Sequence, residues 1–166
     1  MNLQHAHLLL NHIPVVGLGF AAAFLLWGVL RKSSDVIRAA LLSFVVVAII
    51  SVPVFFTGNA AEEIVEEIPG VSHGMIERHE DAGLVALIGL EVLGVAALVA
   101  LVASRRKPLV SRTAATVCLV LAMVVGGVVG WAANLGGQIR HPEIGSSHAV
   151  ASTEDKHEDH GGSGRR

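Results

Sequence analysis

The sequence predicts an all-α integral membrane protein: a four-helix bundle whose N- and C-termini lie outside the cytoplasm, followed by a disordered, His-rich tail. Three observations support this prediction. Four long apolar runs almost exclude charge, two short loops between them concentrate the basic residues, and all nine histidines lie outside those loops. Only 16% of the 166 residues are charged, whereas a typical soluble domain has about 25%, and the mean hydropathy is +0.63.

Each apolar run is long enough to cross a membrane as a helix, because about 20 helical residues span the roughly 30 Å hydrocarbon layer. The runs are continuous rather than alternating, which argues against barrel strands. None shows the polar stripe of a soluble amphipathic helix. The runs are Ile13 to Leu30, Ala39 to Thr57, Ala82 to Ala103 and Thr113 to Gln138. We therefore predict transmembrane helices at about 12–31, 36–57, 82–104 and 113–135.

The four helices form one predicted domain, residues 1–145. The loops after the first and third helices are short, so sequential helices should be antiparallel neighbours. We see no convincing internal repeat in the sequence. Residues 146–166 are rich in Ser, Gly, His and charge, and such a segment cannot bury a core, so we predict that it is a disordered polar tail.

The basic residues indicate the orientation. Seven of the twelve lie in the two short loops, and an excess of Lys and Arg marks the cytoplasmic side of a membrane. These residues are Arg31, Lys32, Arg38, Arg105, Arg106, Lys107 and Arg112. The N-terminus, residues 58–81 and the tail should then lie on the non-cytoplasmic side of a bacterial inner (plasma) membrane.

Three histidines lie at predicted outer helix ends. His12 opens the first helix, His79 leads into the third, and His141 follows the fourth. Neutral imidazole is the commonest metal ligand and also an axial ligand of haem. In an antiparallel bundle these ends share one level, so the sequence favours these three as ligands, with His7 and His73 in reserve. The alternative is that all are interfacial histidines in a wet, polar layer.

Glu91 is the one charged residue inside an apolar run. A carboxylate at such depth is costly and usually faces the bundle interior with a partner. Glu80 lies three helical turns earlier on almost the same face, and His73 would join that face in a longer helix. These residues suit a proton path or a contact to a quinol hydroxyl. The alternative is a neutral, protonated Glu91 held by helix packing.

Two short motifs resemble a known family. His7-Leu8-Leu9-Leu10-Asn11-His12-Ile13-Pro14 and Leu135-Gly136-Gly137-Gln138-Ile139-Arg140-His141 are similar to the opening and closing signatures of the bacterial DUF2231 predicted membrane proteins. The resemblance covers about residues 5–145 and singles out His7, His12, Pro14, Gly136, Gly137 and His141. Because that domain occurs joined to cytochrome-like or Rieske-like modules, the resemblance implies haem or electron transfer by association.

The leading functional hypothesis is a membrane protein with a His-ligated centre near its outer face, either haem b or a Zn, Cu or Fe ion. It would carry electrons between membrane quinol and a periplasmic or extracellular redox protein, and Arg140 could pair with a haem propionate. The alternative is a non-redox accessory or divalent-metal-handling protein, using the acidic outer loop and the tail. Either role fits a subunit, including a homo-oligomer, better than a stand-alone enzyme. A nucleic-acid partner is not expected, since the basic loops are short and face anionic lipid.

Overall fold

A computed structural model describes residues 3–65, 73–104 and 108–140, and every regular element in these segments is an α-helix. The elements are α1 (Leu3–Leu10), α2 (His12–Arg31), α3 (Ser34–Val65), α4 (His73–Ser104) and α5 (Pro108–Arg140). Only Asn11 separates α1 from α2, and its N–H still donates to the carbonyl of His7 at 2.9 Å. The five elements thus form four long helices, and the predicted all-α four-helix bundle is confirmed.

The outer surface of the bundle is apolar. Four helices are long and apolar enough to cross a membrane, with mean hydropathies of 2.2 to 2.7 in their most apolar stretches. Only 28–39% of each such stretch is buried against other helices. Large side chains such as Phe20, Val95 and Met123 are exposed instead. This surface is compatible with contact to a lipid bilayer in a multi-pass arrangement.

The helices form a four-membered ring. α2 and α4 each pack against both α3 and α5, whereas no Cα of α2 lies within 8 Å of one in α4 among the described residues. α1 extends α2 at its N-terminal end and lies against α3. The N-terminal ends of α1 and α4 therefore face each other diagonally across one end of the bundle.

Three helices extend beyond their predicted limits, whereas the prediction of 12–31 matches α2. α3 continues to residue 65 rather than 57, α4 begins at 73 rather than 82, and α5 covers 108–140 rather than 113–135. Polar residues mark where an apolar run ends, but a helix can continue through them. The Ala and Glu residues after Gly58 are good helix formers, which explains the extension of α3. Pro108 occupies the first helical position of α5, where its missing N–H costs nothing. The predicted tail lies outside the described residues.

A tight turn joins α2 to α3. Lys32 adopts the left-handed conformation with φ 56°, and its N–H bonds back to α2. The N–H of Ser33 donates to the carbonyl of Gly28 at 2.9 Å, which closes the end of the helix as left-handed caps commonly do. A Cβ at Gly28 would lie 2.9 Å from the backbone nitrogen of Ile37, so glycine is what permits this close approach.

The two hairpins, α1–α3 and α4–α5, bury matching positions. Buried residues of α2 recur 72 positions later in α4: Pro14 and Ala86, Leu18 and Leu90, Ala21 and Leu93, Leu25 and Ala97, Gly28 and Ala100. Those of α3 recur 78 positions later in α5: Ile37 and Ala115, Ala40 and Cys118, Phe44 and Ala122, Val47 and Val125, Ser51 and Val129, Val54 and Ala132. The expectation of no internal repeat is therefore wrong, because the equivalence lies in burial rather than in residue identity.

Contacts repeat along with burial. A Cβ added at Gly17 would meet Val47 Cγ2 at 3.0 Å, and one at Gly89 would meet Val125 Cγ2 at 3.3 Å. Because both hairpins begin at the same end of the bundle, they form a parallel repeat with a pseudo-twofold axis along the bundle, an arrangement known from membrane proteins. Any residue near this axis therefore faces its own counterpart.

Candidate histidine site at one end of the bundle

His7 is held against α3. Its Nδ1 lies 3.0 Å from the carbonyl oxygen of Val54 and 3.4 Å from Thr57 Oγ1. The ring packs on Gly58, where an added Cβ would lie 3.0 Å from His7 Cε1. Gly58 therefore provides the space for the imidazole, and Val54 fixes its orientation.

His79 is held against α5 in the same way. Its Nδ1 lies 3.0 Å from the carbonyl oxygen of Ala132. Its ring packs on Gly136, where an added Cβ would lie 2.9 Å from His79 Cε1. In both hairpins, then, a histidine of the first helix contacts a carbonyl of the second and covers the glycine four residues later.

The internal repeat relates these two histidines to each other. His79 lies 72 positions after His7, and Ala132 and Gly136 lie 78 positions after Val54 and Gly58, the same spacings that relate the buried cores. The repeat therefore places His7 and His79 at the same end of the bundle, on α1 and α4. No Cα of α1 lies within 8 Å of one in α4 among the described residues, so the helix backbones stay apart.

The hydrogen bonds define the tautomer of both rings. A carbonyl oxygen can only accept, so Nδ1 must carry the proton in His7 and in His79, and Nε2 keeps its lone pair. Within the described residues neither Nε2 takes part in a hydrogen bond. Histidine ligands of metals almost always donate their other N–H to a carbonyl, a carboxylate or water, which fixes the ring. Both residues meet this condition.

Of the other predicted ligands, the structure describes the side chains of His12 and His73. His12 is exposed, and its Nδ1 lies 3.2 Å from the carbonyl of Leu8 in the preceding turn. His73 is also exposed. The backbone of Arg140 ends α5 but its side chain is outside the described part, as is all of His141. In the part of the chain that is described, no three His, Cys, Asp or Glu side chains are grouped to hold a metal ion.

The two predicted proton or quinol residues have different surroundings. Glu80 is exposed at the histidine end of α4, whereas Glu91 is half-buried between helices, with Oε1 3.2 Å from Ser51 Oγ. The predicted line contains one histidine and two acids, and two of its three members, His73 and Glu80, have exposed side chains. Glu91, the third, contacts α3 through its carboxyl group.

Asn11 adds an unpaired polar atom close to His7. It lies four residues after His7, and therefore on the same side of the helix. Its Oδ1 is buried and has no hydrogen-bond partner within residues 3–65, 73–104 and 108–140. An orphaned buried acceptor costs about 1–3 kcal/mol, so a site that retains one is suited to a ligand that brings a donor.

A sequence signal for the histidine pair exists in the spacing. His7 precedes Gly17-Leu18 by the same interval at which His79 precedes Gly89-Leu90. The prediction from helix ends favoured His12 over His7, because it could not take into account the carbonyls of Val54 and Ala132, which belong to other helices.

Comparisons with protein-family models, with curated proteins and with solved structures found no match to this chain.

Proposed function

We propose that this protein is a small membrane electron-transfer protein whose redox centre is a b-type haem bound by His7 and His79. One observation carries the proposal: two partly buried histidines, related by the internal repeat, each hold Nδ1 on a carbonyl and leave Nε2 without a hydrogen bond to any residue that the structure describes. Histidine is a protein ligand of haem iron, and His7 and His79 would hold the iron of a bound haem.

The residues around the pair fit a flat cofactor. Gly58 and Gly136 set the two rings close to the backbones of α3 and α5, while the diagonal separation of α1 and α4 keeps their backbones apart. The unpaired Oδ1 of Asn11 could accept a hydrogen bond from a protonated carboxyl group at the edge of the site. When bound, haem supplies reversible one-electron transfer, and the protein sets its ligands and surroundings.

A haem fits these residues better than a bare metal ion does. Zinc, copper and non-haem iron sites generally take three or four protein ligands. The described residues provide two histidines and no larger group. A divalent-metal-handling role therefore becomes an outcome of the test rather than a second proposal.

The location and the partners follow from the proposed orientation. The basic loops would lie in the cytoplasm of a bacterium, so the histidine site would lie near the outer face of the inner membrane. Membrane quinol would supply electrons there, and an external redox protein would accept them.

We also propose kinship with the DUF2231-like family, because three residues of the shared motifs lie at or near this site. His7 contacts the carbonyl of Val54, and Gly136 packs on the ring of His79. Pro14 is buried in the first turn of α2.

The test is a reduced-minus-oxidised visible spectrum of the detergent-purified full chain, with metal analysis on the same sample. We expect the Soret and α bands of a haem with two histidine ligands. His7→Ala and His79→Ala should each lose them, whereas the exposed His12 is the matched control and His12→Ala should keep them. Haem bands that survive in both variants, or that depend on His12 instead, would refute the ligand assignment.

A second variant separates ligand loss from misfolding. His79→Gly leaves a space that free imidazole can occupy, so added imidazole should restore the bands if His79 is only a ligand. Stoichiometric zinc or copper without haem bands would replace the proposal with the metal-handling function. Absence of both haem and metal from protein expressed with haem available would refute both functions.

A further inference from the structure

Glu91 breaks the internal repeat. Its counterpart in the first hairpin is Gly19, and the counterpart of its partner Ser51 is Val129. An added Cβ at Gly19 would meet nothing within 4 Å, and Val129 is buried. The equivalent positions of α2 and α5 thus carry glycine and valine, so the polar pair occurs only where α3 meets α4.

The helices are brought together at this point by a close crossing. A Cβ at Gly94 would collide with the Cβ of Ala48, and Glu91 and Ser51 lie one helical turn further along the same interface. Ser51 is buried, with 4% of its surface exposed. The contact between Glu91 and Ser51 is therefore fixed by the packing of α3 on α4 rather than by two mobile surface side chains.

The hydroxyl of Ser51 has one proton for two acceptors. It donates to the carbonyl of Ala48 at 2.7 Å, and the same Oγ lies 3.2 Å from Glu91 Oε1. A carbonyl can only accept, so the shorter contact takes the Ser51 proton. The Ser51 lone pairs then face the carboxyl group, and a hydrogen bond there requires a proton on Glu91.

No cation is available to balance an ionised Glu91. The sequence has no Lys, Arg or His in residues 13–30, 39–61, 82–104 or 113–139. The helices packed against α4 are α3 and α5, and in the last three of these ranges the only other titratable side chain is Cys118. Ionised carboxylates inside a membrane normally pair with a cation or line water, and these segments supply no such cation.

We propose that Glu91 is a membrane-embedded proton-binding residue, whose carboxyl group donates a hydrogen bond to Ser51 Oγ, with Ser51 donating onward to the Ala48 carbonyl. The ligand of this site is the proton itself. The proposal goes beyond the haem site and does not depend on it, because it rests only on the contact between α3 and α4.

Infrared spectroscopy of the full chain in lipid vesicles at neutral pH tests this directly. A protonated carboxyl absorbs in its own carbonyl-stretching region, where carboxylates do not. We expect one such band, lost in Glu91→Gln and kept in the control Glu80→Gln, because Glu80 lies on the same helix with an exposed side chain. A spectrum in that region that is identical in the wild type and in Glu91→Gln would overturn the proposal.

Ser51→Ala provides a test that keeps Glu91 in place. Without its hydroxyl acceptor the acid should be more weakly hydrogen-bonded, so the band should persist and move to higher frequency. An unshifted band would contradict the hydrogen bond to Ser51. Because no haem is needed for either measurement, failure here is distinguishable from failure of the proposed electron-transfer function.

Discussion

Gly136 should not tolerate even one added methyl group, although it lies near the end of a long helix. A Cβ there would lie 2.9 Å from His79 Cε1 and 3.3 Å from its Nδ1. An ordinary contact needs about 3.5–4.0 Å, so the ring would have to move by more than half an ångström. The ring has little freedom to move, because its Nδ1 is bonded to the carbonyl of Ala132 in the same helix as Gly136.

The size of the effect follows from a comparison with the next residue. Gly137 has nothing within 4 Å of an added Cβ. Both substitutions to alanine gain the same helix propensity, up to about 1 kcal/mol, so this term cancels between them. The remaining difference is the overpacking at His79, about 1–3 kcal/mol. We therefore expect Gly136→Ala to be less stable than Gly137→Ala by about that amount.

The assay is reversible unfolding of each cofactor-free variant in mixed detergent micelles, followed by helical circular dichroism. Gly58→Ala should behave like Gly136→Ala, since its Cβ would lie 3.0 Å from His7 Cε1. Both variants should also bind haem more weakly than Gly137→Ala does. Equal free energies of unfolding for Gly136→Ala and Gly137→Ala would show that the ring is not confined, and the reasoning about the site would fail.

Three further predictions concern packing and the backbone, each measured as a free energy of unfolding in micelles. Gly94→Val should lose about 1–3 kcal/mol more than Gly130→Val, because a Cβ at Gly94 collides with Ala48 whereas Gly130 has open space; equal losses would contradict the close crossing. Lys32→Gly should gain about 1 kcal/mol by relieving the left-handed conformation at φ 56°, and a loss would argue against that turn. Asn11→Leu should stabilise the cofactor-free protein by up to about 1–3 kcal/mol, because it removes a buried, unpaired acceptor, and destabilisation would indicate a hidden partner for Oδ1.

Helix number and type were predictable because a membrane-length apolar run has few alternative structures. The backbone must satisfy its own hydrogen bonds in hydrocarbon, so each run becomes a helix. Helix ends were less predictable, because apolarity reports only where a membrane would end. Thus α4 begins at His73, nine residues before its predicted start, and α5 begins at Pro108. Residues 73–81, between the start of α4 and its apolar run, are mostly polar but helical.

The choice of histidines depends on tertiary contacts that no local pattern reports. His12 begins α2 and was favoured for that reason, yet its ring remains on its own helix. His7 lies one and a half turns earlier and contacts Val54, 47 residues away in the sequence. The distinction between them is which side of the helix faces α3, and the break at Asn11 makes that side hard to extrapolate from α2.

Comparison of equivalent positions in the two hairpins separates residues that serve the shared packing from residues with another role. Positions that are alike in both hairpins, such as Gly17 and Gly89, serve the packing that both halves share. His7 and His79 are alike as well, and hydrogen bonds to carbonyls in the adjacent helix hold both, yet a packing role alone would not require imidazole twice. Under the proposed function, a ligand near the pseudo-twofold axis would account for the same side chain in both halves. Glu91, in contrast, occurs in one half only, and we therefore assign it a role separate from that of the histidine pair.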